Sequence, residues 1–328
     1  VKVTIKDVAK RANVAISTVS YAINGSSKIT EKTRQRVLKI AQEMNYTSNN
    51  NAKMLKAKRS GAIGLFFNSW SGPIYSELIR GIEQTVHSEH YDLVACSLYG
   101  GEHSTAHKYL RDRSVDGAIV LTSSFDNSFL HSIAAEDLPI VVLDRELENP
   151  HIYNVLIDNF GGAFKAVNAL LAKGCRDICF FSGPAQSYDN QKRLEGFIAA
   201  LGYHNLQPKQ DYIIHSDFTE ADAYLKMQAL IAEGRVPSAI FSANDEMAIG
   251  ILRAAKEHHI QVPDDMKIVG FDNIYASSVL TPSLTTVDHH KYEMGMISAT
   301  TLLKAIRKET DIDAITLLPT QLIERETL

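Results

Sequence analysis

Ile5-Lys6-Asp7-Val8-Ala9-Lys10-Arg11-Ala12 and, after a short break, Ile16-Ser17-Thr18-Val19-Ser20-Tyr21-Ala22-Ile23 decide the reading of this chain. In the first segment the apolar residues 5, 8, 9 and 12 line one face of a helix, with Thr4 placed to cap it. Asn13 breaks the run. Ile16, Val19, Ala22 and Ile23 then repeat at helical spacing until Asn24-Gly25 stops them. A third helix is expected from about Thr30, with Val37, Leu38, Ile40 and Ala41 on its inner face. Two short helices joined by a tight turn and braced by a third make a helix-turn-helix. The second would enter a DNA major groove. Its small polar residues permit close approach, and its N-terminal end points towards phosphates and base edges.

Charge is divided in the same place. Residues 1–59 hold 13 lysines and arginines against 3 acidic residues, a net of +10. Residues 60–328 hold 21 against 35, a net of −14. A basic arm attracts polyanions by releasing their counterions, and an acidic body does not. A solubilising tail of like charge would lack the apolar period. The chain of 328 residues, 45% hydrophobic and 22% charged, fits two or three globular domains. Its start has no apolar core of signal-peptide length, and no stretch is long enough to span a bilayer, so a cytoplasmic protein is expected. Cys96, Cys175 and Cys179 lie in or beside apolar runs and read as reduced thiols.

From residue 61 short apolar strands alternate with amphipathic helices. Ala62–Phe67, Leu93–Leu98, Ala118–Thr122 and Ile140–Asp144 read as strands, then Ile178–Ser182, Tyr212–His215, Ala239–Ser242 and Ile268–Asp272. Between them lie helices such as the one with Ile74, Leu78, Ile79 and Ile82 on one face. Apolar runs with helical crossovers mean parallel sheets, here two doubly wound α/β lobes. Ligands of such sheets sit at the carboxyl ends of the strands. Three strands end there in polar groups: Asp144-Arg145, Asn244-Asp245 and Asp272-Asn273. Carboxylates accept paired hydroxyl bonds while Arg and Asn fix orientation, which suits a polyhydroxylated ligand. Asp245 starts a helix, so capping and ligand contact both remain open for it. Trp70, in a Ser/Gly-rich loop after a strand, suits sugar stacking or the core equally.

Thr4-Ile5-Lys6-Asp7-Val8-Ala9, Val14-Ala15-Ile16-Ser17-Thr18-Val19-Ser20 and Asn24-Gly25 resemble the DNA-binding signature of the lactose-repressor/galactose-repressor (LacI/GalR) family. The likeness runs on through Thr33-Arg34, Val37 and Asn45-Tyr46 to Asn49 and Ala52-Lys53-Met54-Leu55. The resemblance implies a homodimeric bacterial regulator of near-palindromic operators, associated with the nucleoid. It implies a hinge helix that folds on DNA and pushes a leucine, here Leu55, into the minor groove. The expected DNA contacts are Thr4, Ala15, Ile16, Ser17, Thr18, Ser20, Tyr21, Asn24, Asn49, Ala52, Lys53 and Leu55. Residues 47–58 carry little apolar surface, so a helix there is marginal alone, and a leucine wedge costs a few kcal/mol of unstacking. Ser48 stands where the family usually has proline. Lys53 and Tyr21 stand where it commonly has arginine, and a tyrosine cannot make a bidentate contact to guanine.

The resemblance implies a body of periplasmic-binding-protein type, crossed three times between lobes. The expected domains are 1–46 (head), 47–59 (hinge) and 60–328 (effector binding and dimerisation). Within the last, one lobe takes about 60–159 and 291–318, the other about 161–289 and 320–328. It also implies effector contacts. Arg193 matches the family's effector-binding arginine, Asp272 its aspartate, Asn244 or Asp245 a polar contact, and Phe218 a stacking aromatic. Ile74 and Tyr75 match the pocket lining, and His289 would reach the cleft from a crossover strand. With Trp70 and Asp144 these are the candidate ligand residues.

The function expected is a sequence-specific transcription regulator, a repressor of sugar-utilisation genes controlled by a small sugar-like effector in the interlobe cleft. Two alternatives are a global carbon regulator answering to a phosphoprotein, and a sugar-binding transport component, against which the attached head counts. There is no nucleophile elbow, phosphate-cradling loop, dinucleotide fingerprint or metal-ligand cluster, so no enzyme, cofactor or metal is expected. His103 and His107 read as surface histidines. No leucine-heptad tail is present, which disfavours a helical tetramerisation module.

Overall fold

The computed structural model describes residues 3–46, 60–68, 72–98, 101–121, 124–143 and 145–328. The hinge candidates Asn49, Ala52, Lys53 and Leu55, and the ligand candidates Trp70 and Asp144, lie outside the described residues. The chain divides into two compact units, residues 1–60 and 61–328.

In the first unit, helices α1 (Ile5–Ala12), α2 (Ile16–Ile23) and α3 (Glu31–Glu43) enclose a small core of Val8, Ala9, Ala12, Val19, Ala22, Val37 and Ala41. Thr30 caps α3 by accepting from the Thr33 amide. Val37 and Ala41, one turn apart, point inwards. Leu38 is a correction to the sequence reading: one position further round the helix, it is exposed. Arg34 ties the unit together. Its guanidinium donates to the carbonyls of Gly25 (3.2 Å) and Ser26 (2.7 Å) and pairs with Glu31 at 2.7 Å. This fixes the loop that leaves α2 to the first turns of α3.

The second unit holds two six-stranded sheets. Its strands are β1 (Ala62–Phe67), β2 (Asp92–Ser97), β3 (Gly117–Leu121), β4 (Ile140–Val142), β5 (Ile152–Ile157), β6 (Ile178–Ser182), β7 (Ile213–His215), β8 (Ala239–Ser242), β9 (Lys267–Phe271), β10 (Thr285–Asp288), β11 (Ile315–Leu318) and β12 (Gln321–Ile323). The first sheet runs β11-β5-β4-β3-β1-β2, all parallel. The second runs β12-β10-β9-β8-β6-β7, parallel except for β12. The helices are α4 (Tyr75–Ser88), α5 (Thr105–Arg111), α6 (Asn127–Ile133), α7 (Asn159–Ala172), α8 (Tyr188–Tyr203), α9 (Glu220–Ala232), α10 (Asp245–Glu257), α11 (Tyr275–Val279) and α12 (Lys291–Ile306). The strands are buried apolar runs, Phe180, Phe181 and Phe241 among them, covered on both faces as parallel sheets require.

The chain passes between the sheets three times: from β5 into α7, from β10 into α12, and from β11 to β12. Strands β5, β11 and β12 were not legible as strands. In β5 a polar Asn154 interrupts the apolar run. Its amide bridges the backbone of Leu147 and Ala314, so it serves as a buried staple.

Helices α4 and α12 pack at backbone contact. A Cβ at Gly81 would lie 2.1 Å from the carbonyl oxygen of Tyr292, and one at Gly295 would lie 2.2 Å from that of Leu78. These reciprocal glycines lock the two helices as one body on the first sheet. Gly196 does the same between α8 and α7, where a Cβ would meet the Phe160 carbonyl at 2.4 Å. His107 departs from expectation: it is buried against Phe125 and Phe129, and its Nδ1 pairs with the Ser104 hydroxyl at 2.8 Å. Burial holds its pKa below the usual histidine value.

Candidate DNA interface and ligand cleft

On the head, Ala15 is the N-cap of α2 and no side chain caps that end. Ala15, Ile16 and Ser17 are exposed, Ile16 at 46%, while Val19 and Ala22 turn into the core. An apolar side chain left in water at the uncapped start of a helix is what a groove-reading surface presents. Thr18, Ser20 and Tyr21 are half-buried along the same helix. The Asn24 amide donates to the Ser20 hydroxyl at 3.3 Å, and Lys28 lies 5.5 Å from the centre of the Tyr21 ring. Thr4 is exposed, but its amide and hydroxyl both donate to the Asp7 carboxylate, at 2.8 and 2.6 Å. Those bonds hold Asp7 below the usual carboxylate range.

In the body, α8 starts at Ser187, which caps it. Asn190 pins the preceding loop by accepting from the Gly183 amide (2.6 Å) and donating to Ser182. This rigid start, with the close α7–α8 packing, aims Arg193 into the second sheet's strand ends. Its Nε donates to Asn159 Oδ1 at 2.8 Å, and its Nη1 donates to the Ala243 carbonyl. Its Nη2 lies 3.5 Å from Asp272 Oδ1, and the guanidinium sits 3.8 Å over the Phe271 ring. The same Asp272 oxygen is 3.5 Å from His289 Nε2. His289, from the end of β10, is stacked beside Phe271, and its buried Nδ1 has no hydrogen-bond partner among the described residues.

Asn244 is the N-cap of α10, accepting from Met247, and its amide donates to the Phe218 carbonyl at 2.9 Å. Phe218 has φ +71, and its ring covers Gly183, where a Cβ would meet it at 2.2 Å. Arg193, Asp272 and His289 thus form one connected group, and Asn244 with Phe218 a second, adjoining it at the Ala243 carbonyl that Arg193 binds. Ile74 and Tyr75 lie at the start of α4 beyond the carboxyl end of β1, with Tyr75 stacked on Phe67 at 5.6 Å.

Asp245 is the correction. It is fully buried, and its oxygens are taken up by Thr286 (2.6 Å), Ser277 (2.7 Å) and the Ile274 amide (3.0 Å). Burial, reinforced by the charge of Asp272, pushes its pKa up to about 7. It clamps the loop below the cleft, and the capping role belongs to Asn244. Sequence reading missed two members of the site. Asn159 accepts from Arg193 and donates to Asp189 at 2.7 Å, and burial pushes the Asp189 carboxyl up against the opposing pull of Arg193. The one signal was spacing, since Asp189 and Arg193 stand one helical turn apart.

Among the described residues no cluster of three or more His, Cys, Asp or Glu could hold a metal, and no helix is long and apolar enough to cross a membrane.

A helix-turn-helix head joined to two parallel-sheet lobes with polar strand ends defines a DNA-binding regulator of the bacterial repressor class. Residues 4–49 match the model of bacterial regulatory proteins, lacI family, and residues 167–328 match that of a periplasmic binding protein-like domain. The chain is 35% identical to the probable HTH-type transcriptional repressor ExuR of Bacillus subtilis, over 95% of each protein. It superimposes on the lac repressor dimer bound to operator and the anti-inducer ONPF with a TM-score of 0.82 at 28% identity, over 100% of this chain and 99% of that one. For the transcriptional regulator CelR–cellobiose complex the TM-score is 0.74 at 26% identity, over 100% of both. The chain belongs to the lacI family, and it is a transcription regulator.

Proposed function

We propose that this regulator is a repressor that binds a near-palindromic operator as a homodimer, and that a small polyhydroxylated ligand between the lobes sets its operator affinity. The observation that carries the ligand reading is the buried Asp272 carboxylate. It stands 3.5 Å from both Arg193 and His289, close enough to pair yet long for a hydrogen bond. Beside it, His289 Nδ1 has no bond among the described residues. A sugar hydroxyl pair supplies donors for the carboxylate and acceptors for the cation. CelR, with cellobiose, and the lac repressor, on its operator, support the two halves of this reading. Arg193, Asp272, His289, Asn244 and Phe218 contact the ligand, with Ile74 and Tyr75 facing it from the other lobe, and Trp70 and Asp144 are further ligand residues. Ala15, Ile16, Ser17, Thr18, Ser20, Tyr21 and Asn24 read the major groove, Thr4 contacts backbone, and Asn49, Ala52, Lys53 and Leu55 serve the minor groove. The head comprises residues 1–46 and the hinge 47–59. The protein has no catalytic activity and works in the cytoplasm on the nucleoid.

A thermal-shift screen of hexoses, pentoses, hexuronates, disaccharides and sugar phosphates on the full chain tests the ligand class. A raised melting temperature with a sugar, lost in Arg193→Ala, is the expected result. A response to purines alone would replace the sugar with another small ligand.

A further inference from the structure

Lys291 is almost wholly buried, at 3% exposure, and lines a pocket between the lobes with Glu77 on one side and Asn273 and Asp288 on the other. It is the first residue of α12, which packs at backbone contact on α4 through Gly81 and Gly295, beside the first sheet. Its ammonium points the other way. It donates to the carbonyl of Asp272 and, at 3.1 Å, to that of Asn273, both in the loop after β9 of the second sheet. Asp288 Oδ1 lies 3.5 Å away and Glu77 Oε2, on α4, 3.9 Å away.

The loop it grips is unusual. Asp272 has φ +108 and Asn273 φ +50, two successive side-chain-bearing residues in a region that L-residues rarely adopt. Such a backbone persists only when its surroundings hold it. On the second-sheet side the holders are the Val287 carbonyl, bonded by the Asp272 amide at 2.8 Å, and Thr286, bonded by the Asn273 amide at 3.2 Å. Arg325 adds a bond to Asn273 Oδ1 at 2.7 Å. Lys291 is the holder that reaches over from the other lobe.

The crossing segment joins these parts. His289 faces the Asp272 carboxylate, His290 turns the chain with φ +53, and Lys291 holds the Asp272 carbonyl. One residue, Asp272, is therefore held at its side chain within the cleft and at its backbone by the opposite lobe.

We propose that Lys291 is a positioning residue, a strut whose buried ammonium fixes the Asp272–Asn273 turn to α12 and so sets the angle between the lobes and the aim of the Asp272 carboxylate together. A ligand that draws on that carboxylate then works directly against the strut, which converts binding into a change of lobe angle. The second half rests on the cleft reading given above, while the strut itself does not.

The test needs no ligand. Spin labels are placed on the full chain at Lys108→Cys in the first lobe and Gln207→Cys in the second, both exposed positions, with Cys96→Ser to remove the half-buried thiol. Labelled chain is mixed into excess unlabelled chain so that only distances within one chain are read. The expected result is one narrow distance in the parent, a broadened or shifted distribution in Lys291→Met, and recovery in Lys291→Arg. A purely structural filler would be replaced by the methionine, whose length is similar, without a change in distance. A parent-like distribution in Lys291→Met overturns the strut. Should that variant not fold, Lys291→Ala, which also removes the donor but leaves room for water at the two carbonyls, is read by the same criteria. Loss of sugar response in Arg193→Ala is scored separately, so the cleft and the strut can fail independently.

Discussion

Arg193 and Asp272 face each other at 3.5 Å, Nη2 to Oδ1, with both side chains nearly closed to solvent. The arginine also donates to Asn159 and to the Ala243 carbonyl and lies over the Phe271 ring. The aspartate is the less occupied partner. A ligand hydroxyl entering between them would shorten the contacts on both sides without having to break an ideal ion pair first.

Arg193→Ala and Asp272→Ala should each weaken sugar binding by about tenfold or more, since a hydrogen bond to a charged group is worth about 1.5–3 kcal/mol. Operator binding should survive, because neither residue lies in the head. Each single change also leaves a buried charge unpaired, at a cost of up to about 3–5 kcal/mol. The double variant Arg193→Met/Asp272→Asn separates the two effects. It should recover stability in a melting experiment and still not bind in calorimetry. Wild-type affinity in it would remove the pair from the site.

Asp245 sets a pH dependence with a definite sign. An unfolded aspartate titrates near about 3.9, whereas the native carboxyl is pushed up to about 7. Between these values the native state holds a proton that the unfolded state has lost. Stability from this group is therefore full below about pH 4 and falls as pH rises through about 7. Asp245→Asn should flatten the difference between denaturation midpoints at pH 5 and pH 8. An unchanged pH slope in that variant would mean the carboxyl is ionised throughout.

The head and the existence of two parallel sheets were legible because apolar periods of helix and strand are local. Asp272 was legible as a polar group at a strand's carboxyl end, but Arg193 only through family resemblance, since an arginine in a helix carries no mark of its meeting that aspartate. Asp245 misled for the same reason: a carboxylate opening a helix looks like a cap or a ligand contact. Only the distant hydroxyls of Ser277 and Thr286 reveal it as a buried clamp. Lys291, Gly81 and Gly295 are silent in sequence because their roles depend on the chain returning to the first lobe after β10.

Gly81→Ala should wedge α4 from α12, since the new methyl would lie 2.1 Å from a backbone oxygen that cannot rotate away. Overpacking of this kind costs about 1–3 kcal/mol. Urea denaturation of the full chain measures it, and Gly202→Ala, where nothing lies within 4 Å of the added carbon, is the control. Equal midpoints for the two variants would show that the helices separate freely.

Arg34→Ala should loosen the loop after α2 and weaken operator binding, with a loss of about 1–3 kcal/mol from its bonds to Gly25, Ser26 and Glu31. Arg34→Lys should recover part of it. Fluorescence anisotropy on operator DNA at two salt concentrations distinguishes this from a lost phosphate contact, which would also lower the salt slope. A reduced slope with an unchanged head melting temperature would reassign Arg34 to the DNA surface.

The central claim is that occupation of the cleft and binding of the operator are linked. Calorimetry with the sugar that raises the melting temperature most, performed on the full chain with and without saturating operator DNA, tests it directly. A coupling of about 1–3 kcal/mol predicts sugar affinities that differ by roughly 5–150-fold between the two titrations, and operator affinity must change by the same factor when sugar is added. Equal sugar affinities in the two titrations would contradict the account and leave a DNA binder that the cleft does not control.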